Sequence, residues 1–262
     1  LNRDGLGGWK VAAYEAFGDL RLRPALDLLA RVPELPAGAL VDLGCGSGAA
    51  ASALRARFPG RRLIGVDRAS EMLAKAAPLL DEAIEADIAD WGPAAAALIF
   101  SNAALHWLPD HATLIPALFA ALAPGGVLAV QMPGQLDRPS HRTMIGAAAA
   151  IRPDLFCGWK PFPGPLPLPD YAGLLPRAGL DLWETEYLQR LGPADGGGHP
   201  VRAFVSATGA RPILALLDAA ERARFEAGWD EALGAAYPVG PDGCCWFPFR
   251  RFFFVARSIG SG

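Results

Sequence analysis

Hydrophobic and polar positions alternate along this chain with two periods. Leu22, Leu26, Leu29 and Ala30 recur at helical spacing within residues 22–32, and Pro33 and Pro36 end that run. A preceding stretch with Trp9, Tyr14 and Phe17 reads as a first helix packed on the core. Short apolar runs then alternate with helical ones. Strands are predicted at Ala39–Leu43, Arg62–Asp67, Ala83–Ala86, Ala97–Ser101 and Val127–Met132. Helices are predicted from Ala49 to Arg57, from Ser70 to Ala77 with Ser70 as N-cap, and from Ala112 to Leu122. Pro59-Gly60 and Pro124-Gly125-Gly126 are the stops. Strand and helix in strict turn, with short loops, predict a parallel doubly wound sheet.

After Pro133 the rhythm changes. His141–Ile151 reads as helix, and the proline-rich stretch 152–170 as an irregular cap or lid. A helix over 170–178, a strand over Gly179–Gln189 and a glycine-rich loop at 194–199 follow. Helices at 201–206, 211–217 and 218–237 form a late helical insertion, and Trp246–Ala256 is the last strand. The whole reads as one α/β domain: N-terminal helices over 1–36, a nucleotide-binding core over 37–133, a cap over 134–240 and a last strand over 241–257.

The candidate chemistry gathers at the end of the first strand, Leu40-Val41-Asp42-Leu43-Gly44-Cys45-Gly46-Ser47-Gly48. Glycines there let the backbone approach a ligand and adopt dihedrals that a Cβ would forbid. Gly44, Gly46 and Ala49 fit a dinucleotide turn; Asp42, Gly44, Gly46 and Gly48 fit the acid-x-G-x-G-x-G turn of S-adenosylmethionine-dependent methyltransferases. Asp67, at the end of the second strand, suits ribose hydroxyls in either reading and does not decide between them. Asp87, at the third strand end, can accept from an adenine amino group, with Asp90 as a rival. Met72 lies against the base or fills core, and Cys45 is a small residue in a tight turn.

Composition narrows the classes. Hydrophobic residues make up 52% of the 262, enough for a sizeable core, and the net charge is −3. The absence of a Lys/Arg run argues against nucleic acid, and the broken apolar stretches argue against a membrane span. Cys45, Cys157, Cys244 and Cys245 form no CxxC pair, and the four histidines show no zinc spacing with them, so free thiols, no metal and a cytoplasmic location are expected.

Over nearly its full length the chain resembles class I methyltransferases, most closely the trans-aconitate 2-methyltransferase family. Besides the glycine turn, the resemblance rests on residues 9–14 and 23–33, Glu85–Ile88 with Trp91, and Ser101-Asn102-Ala103. His106-Trp107-Leu108-Pro109-Asp110-His111, Val130–Pro133, Ala207–Pro212 and Phe252–Arg257 complete it. Ser47, Ala49 and Ala50, and the segment between Asp154 and Pro169, depart from the family pattern.

The resemblance implies a Rossmann-like, seven-stranded, mostly parallel sheet that binds S-adenosylmethionine and releases S-adenosylhomocysteine. Asp42 and the turn Gly44, Cys45, Gly46 and Gly48 would hold the methionine end. Asp67 with Arg68 would take the ribose; Met72, Asp87 and Ile88 the adenine. Asn102 and Ala103 would border the methionine moiety, and Tyr14 and Arg23 would close the site. The implied acceptor is a small-molecule carboxylate, the protein acting as a monomer or weak homodimer. A carboxylate is ionised near neutral pH and needs no base, so His106 and His141 enter only for another acceptor. A polyacid needs cations: Arg211 first, then His141, then Arg250 or Arg251, with Trp9, Trp107 and Trp159 as walls.

Overall fold

The computed structural model describes residues 18–92, 95–176, 179–194 and 196–258. The expected first helix, with Trp9 and Tyr14, lies outside them. The chain divides into two compact units. One, the sheet unit, holds Asp19–Pro133, Pro163–Thr185 and the C-terminal stretch from Arg251. The other, the helical unit, holds Gly134–Phe162 and Glu186–Arg250.

The sheet has seven strands: β1 (Leu40–Leu43), β2 (Leu63–Asp67), β3 (Glu82–Glu85), β4 (Ala96–Asn102), β5 (Leu122–Pro133), β6 (Leu180–Leu191) and β7 (Cys245–Arg257). Their order is β3-β2-β1-β4-β5-β7-β6. The first five run parallel and β7 pairs antiparallel with β5. This is the α/β class and mostly parallel sheet that the alternation predicts. The strand order reverses between β1 and β4, and an open sheet binds ligands at the carboxyl ends on either side of such a point.

Register sets which side chains share a face. Val41, Ile99, Leu128 and Ala256 are cross-strand partners, as are Val130 and Phe254. With Leu43 and Met132 they build one core, closed by Ile115 and Leu118 of the helix His111–Ala120 and by Tyr171. Each of the fully buried aliphatic side chains contributes about 1.5–3 kcal/mol. The opposite face carries Asp42 and Phe100 as partners, then Asn102 and Gln131.

In the helical unit, the long helix Ala219–Ala236 is started by a capping box, Asp218 accepting from the Glu221 N–H while Glu221 accepts from the Asp218 N–H. Phe225, Trp229 and Leu233 form its buried stripe.

Five elements differ from expectation. β5 begins at Leu122, not Val127, because the Pro124-Gly125 turn stays within the ladder through a register shift between Ala96 and Leu98. The expected helix over 170–178 is one turn, Tyr171–Leu174, and that over 211–217 ends at Leu214. Within 152–170, Pro153 opens a short helix, Pro153–Phe156. Ser70 is the first residue of its helix and not the cap; the free N–H of Ala69 is taken by Asp67 Oδ1 at 2.8 Å.

Candidate active site at the switch point

After β1 the chain reverses through three positive-φ glycines, Gly44 (+78°), Gly46 (+54°) and Gly48 (+82°). The N–H groups of Gly44 and Cys45 both donate to the Val66 carbonyl, at 2.8 and 3.0 Å, tying the turn to β2. The Gly46 N–H donates to Asp67 Oδ2 at 2.8 Å. Asp67 therefore braces the glycine turn with one oxygen and holds the Ala69 N–H with the other, while each oxygen keeps a lone pair for a ligand. A Cβ on Gly44 would run into the Ala104 methyl and stand 3.2 Å from Ile88 Cδ1. Gly44 is thus where the segments after β1, β3 and β4 meet. At Gly46 an added Cβ would stand 3.6 Å from Met72 Cε, its one neighbour within 4 Å among the described residues.

Asp42 is 2% exposed. Its pKa is pushed up to about 7, first by burial and then by the charge of Asp67. Its Oδ2 is buried and lacks a hydrogen-bond partner among the described residues, and so is the Oδ1 of Asn102. Two buried acceptors without donors are costly, and a ligand bearing N–H groups would satisfy them. Cys45 is buried, its thiol pushed up by burial and by Asp42 and Asp67, and its sulfur packs against Gly65. It fills space and is no nucleophile.

Beyond β4, Ser101 Oγ donates to the Leu43 carbonyl at 2.8 Å and locks the two strand ends together. Ala103 sits at φ +55° and its N–H donates to the Gln131 carbonyl at 2.9 Å. A left-handed alanine costs about 1–2 kcal/mol, so this bend is imposed by its surroundings. His106 is buried in the 3-10 turn Leu105–Trp107, with its ring 4.9 Å from that of Trp107. His111 holds that turn: its Nε2 contacts the Leu105 carbonyl at 2.9 Å and its Nδ1 the Tyr171 hydroxyl at 2.6 Å. A carbonyl only accepts, so Nε2 carries the proton and the Tyr171 O–H donates to Nδ1. Tyr171 in turn accepts from the Leu166 N–H at 3.1 Å.

Asp87 caps its own turn, Oδ1 accepting from the Ala89 N–H at 3.0 Å, and Ile88 packs on the core. Arg23, Arg68 and Asp90 are exposed. The sheet unit thus brings together Asp42, Gly44, Cys45, Gly46, Asp67, Met72, Ile88, Asn102 and Ala103 around one turn.

His141, Trp159, Arg211 and Arg250 fall in the helical unit. His141 is buried, 3.1 Å from Ser140 Oγ and edge-on to Phe162. Its Nε2 stands 3.1 Å from a Cβ placed on Gly209, in the loop that leads to Arg211. Burial pushes the His141 pKa down to about 4, so at neutral pH it carries no charge. That removes it from the set of anion-holding cations. Arg211 is half-buried at the start of its short helix, and burial lowers its pKa. Trp159 is half-buried, edge-on to Phe156. Arg250 is bound to the Gly134 carbonyl at 2.7 Å and ion-paired with Asp137, an anchor for the loop after β5.

Sequence reasoning gave no role to Gln131, which is fully buried with its Nε2 lacking a hydrogen-bond partner among the described residues. The available signal was a lone amide inside the apolar run from Val127 to Met132.

Known proteins agree with this geometry. The profile of a family described as "Methyltransferase domain" matches residues 14–185. Trans-aconitate 2-methyltransferase of Paracidovorax citrulli is 43% identical over 268 residues, covering 95% of this chain and 98% of that protein. The protein of the same name from Azoarcus sp. is 42% identical over 262 residues, covering 95% and 98%. Among solved structures, phosphoethanolamine N-methyltransferase 2 of Haemonchus contortus, in complex with phosphomonomethylethanolamine and S-adenosylhomocysteine, superimposes with a TM-score of 0.56 at 18% identity, covering 99% of this chain and 59% of that one. Of the two readings of the glycine turn, the dinucleotide one falls: this chain belongs to the methyltransferase domain family.

Proposed function

We propose that this protein esterifies a carboxylate of trans-aconitate, or a close polycarboxylate, with a methyl group from S-adenosylmethionine. The observation that carries the cofactor assignment is the pair of buried acceptors without donors among the described residues, Asp42 Oδ2 and Asn102 Oδ1, beside the positive-φ glycine turn. The α-ammonium of the cofactor supplies the donors that they lack. Asp67 would accept from the ribose hydroxyls with its remaining lone pairs, and Asp87, Ile88 and Met72 would flank the adenine. The trans-aconitate assignment is supported by the relatives that bear that activity in their names, at 42–43% identity over 95% of the chain.

The bound cofactor supplies an electrophilic methyl on a sulfonium. This chain's residues then have little proton chemistry to do. A carboxylate, with a reference pKa near 4, is ionised at neutral pH and is its own nucleophile. Neither His106 nor the uncharged His141 has to take a proton. What the residues provide is alignment and exclusion of water. In the helical unit, Arg211 remains a guanidinium at neutral pH, a cation able to hold a carboxylate. We place residues 1–262 in one methyltransferase domain, with 134–240 as its substrate cap.

The test is a panel of acceptors at saturating cofactor. We expect trans-aconitate to exceed an amine and a phenol in kcat/KM, with kcat flat between pH 6 and 8. Preference for an amine or phenol, with a rate that titrates in the histidine range, would replace the carboxylate reading.

A further inference from the structure

One face of the sheet carries a polar row at its carboxyl edge. Asp42 and Phe100 are register partners, and Asn102 lies two residues further along β4 on the same face. Asn102 pairs with Gln131 of β5. Arg251 pairs with Pro133, again two residues further along that face. The row therefore steps across β1, β4, β5 and β7, all within the sheet unit.

The row is polarised. At the β1 and β4 end the orphan atoms are acceptors, Asp42 Oδ2 and Asn102 Oδ1. At the β5 end the orphan atom among the described residues is a donor, Gln131 Nε2, beside the Arg251 guanidinium of β7. Arg251 is 3% exposed and its Nη1 donates to Gln131 Oε1 at 3.3 Å. That bond turns the Gln131 amide so that Nε2 is buried without an acceptor among the described residues. Phe253, the partner of Gln131 in β7, stacks on Trp183 at 4.9 Å, so the neighbourhood is apolar and strengthens a charge-assisted bond. An ammonium suits the first end and an anion the second. Neighbouring strands lie about 4.8 Å apart and a strand rises about 3.4 Å per residue, so the Asn102 and Arg251 backbones, two strands across and two residues along, are roughly 12 Å apart.

We infer that Gln131 and Arg251 form the seat of a spectator carboxylate of the acceptor, held by the amide N–H and the guanidinium while another carboxylate takes the methyl. The assignment rests on the carboxyl-methyltransferase reading and adds its specificity site: a monocarboxylate would leave the seat empty. It also separates two adjacent arginines. Arg250 anchors a loop, and Arg251 reads the substrate.

The test is calorimetric titration of trans-aconitate into protein saturated with S-adenosylhomocysteine, on wild type, Gln131→Met and Arg251→Lys. The expected result is weakening by roughly ten-fold or more in Gln131→Met, the scale of a lost bond to a charged group, with a similar loss in Arg251→Lys. Affinity for S-adenosylhomocysteine and the thermal midpoint of Gln131→Met should stay near wild type. In turnover the same variant should raise KM for trans-aconitate more than it lowers kcat. Trans-aconitate affinity within two-fold of wild type in Gln131→Met would overturn the seat and assign the orphan amide to an ordered water. Failure of the broader reading looks different: trans-aconitate binds, and binding falls in both variants, yet no ester forms.

Discussion

Replacing Asp42 with Asn tests the electrostatics of the site. The carboxyl is buried beside Asp67, and its pKa is pushed up to about 7. Near neutral pH the free protein therefore holds a proton on a group that an incoming ammonium requires as carboxylate. Affinity for S-adenosylhomocysteine must rise with pH through this range. With a pKa of about 7, Asp42 is about one-tenth ionised at pH 6 and about nine-tenths at pH 8, so affinity should improve roughly nine-fold, or about 1.3 kcal/mol. Below pH 7 binding should expel close to one proton. Titration calorimetry in two buffers of different ionisation enthalpy reads both quantities. Asp42→Asn should bind more weakly at pH 8 and lose both the pH dependence and the proton release. The unliganded protein carries the converse signature. Between pH ~4 and 7 the folded state holds a proton that the unfolded chain has released, so stability falls as pH rises, and Asp42→Asn should flatten that slope. Wild-type affinity independent of pH from 6 to 8, with no proton exchanged, would refute the placement of Asp42 against the cofactor's ammonium.

Gly44→Ala forces a methyl into Ala104 at φ +78°; the expected loss is about 2–4 kcal/mol in urea unfolding, with cofactor affinity falling in parallel. Asp67→Ala removes the acceptor of the Gly46 and Ala69 N–H groups, so S-adenosylhomocysteine affinity should drop at least ten-fold and stability by about 1–3 kcal/mol, and unchanged binding would break the site map. Tyr171→Phe strips the donor from His111 Nδ1 and the acceptor from the Leu166 N–H; chemical denaturation should show about 1–3 kcal/mol lost, and a neutral outcome would mean that the network carries no load.

β1, β2 and β4 were legible because each is a short apolar run bounded by a turn signal, and Asp42, Gly44 and Asp67 mark the ends of the first two. Asp42, Gly44, Gly46 and Asp67 could be singled out from spacing alone. The start of β5 could not, since Pro124-Gly125 signals a stop locally while the neighbouring β4 keeps the segment in register. Ser70 looked like a cap because serine favours that position; the helix instead starts at Ser70 with Ala69 as its uncapped N-cap, whose own N–H Asp67 holds. The substrate-side cations were the least legible. Nothing in the order of residues tells Arg250 from Arg251, which face opposite ways on one strand; cross-strand register decides which is buried beside Gln131. His141 illustrates the same limit, since its charge at neutral pH depends on burial that only packing reveals.

The central claim is tested most directly by incubating the protein with methyl-labelled S-adenosylmethionine and trans-aconitate and recovering the label in a base-labile ester. The account predicts saturable transfer of one methyl per cofactor consumed, with label released by mild base. Tight cofactor binding with no base-labile product would contradict it.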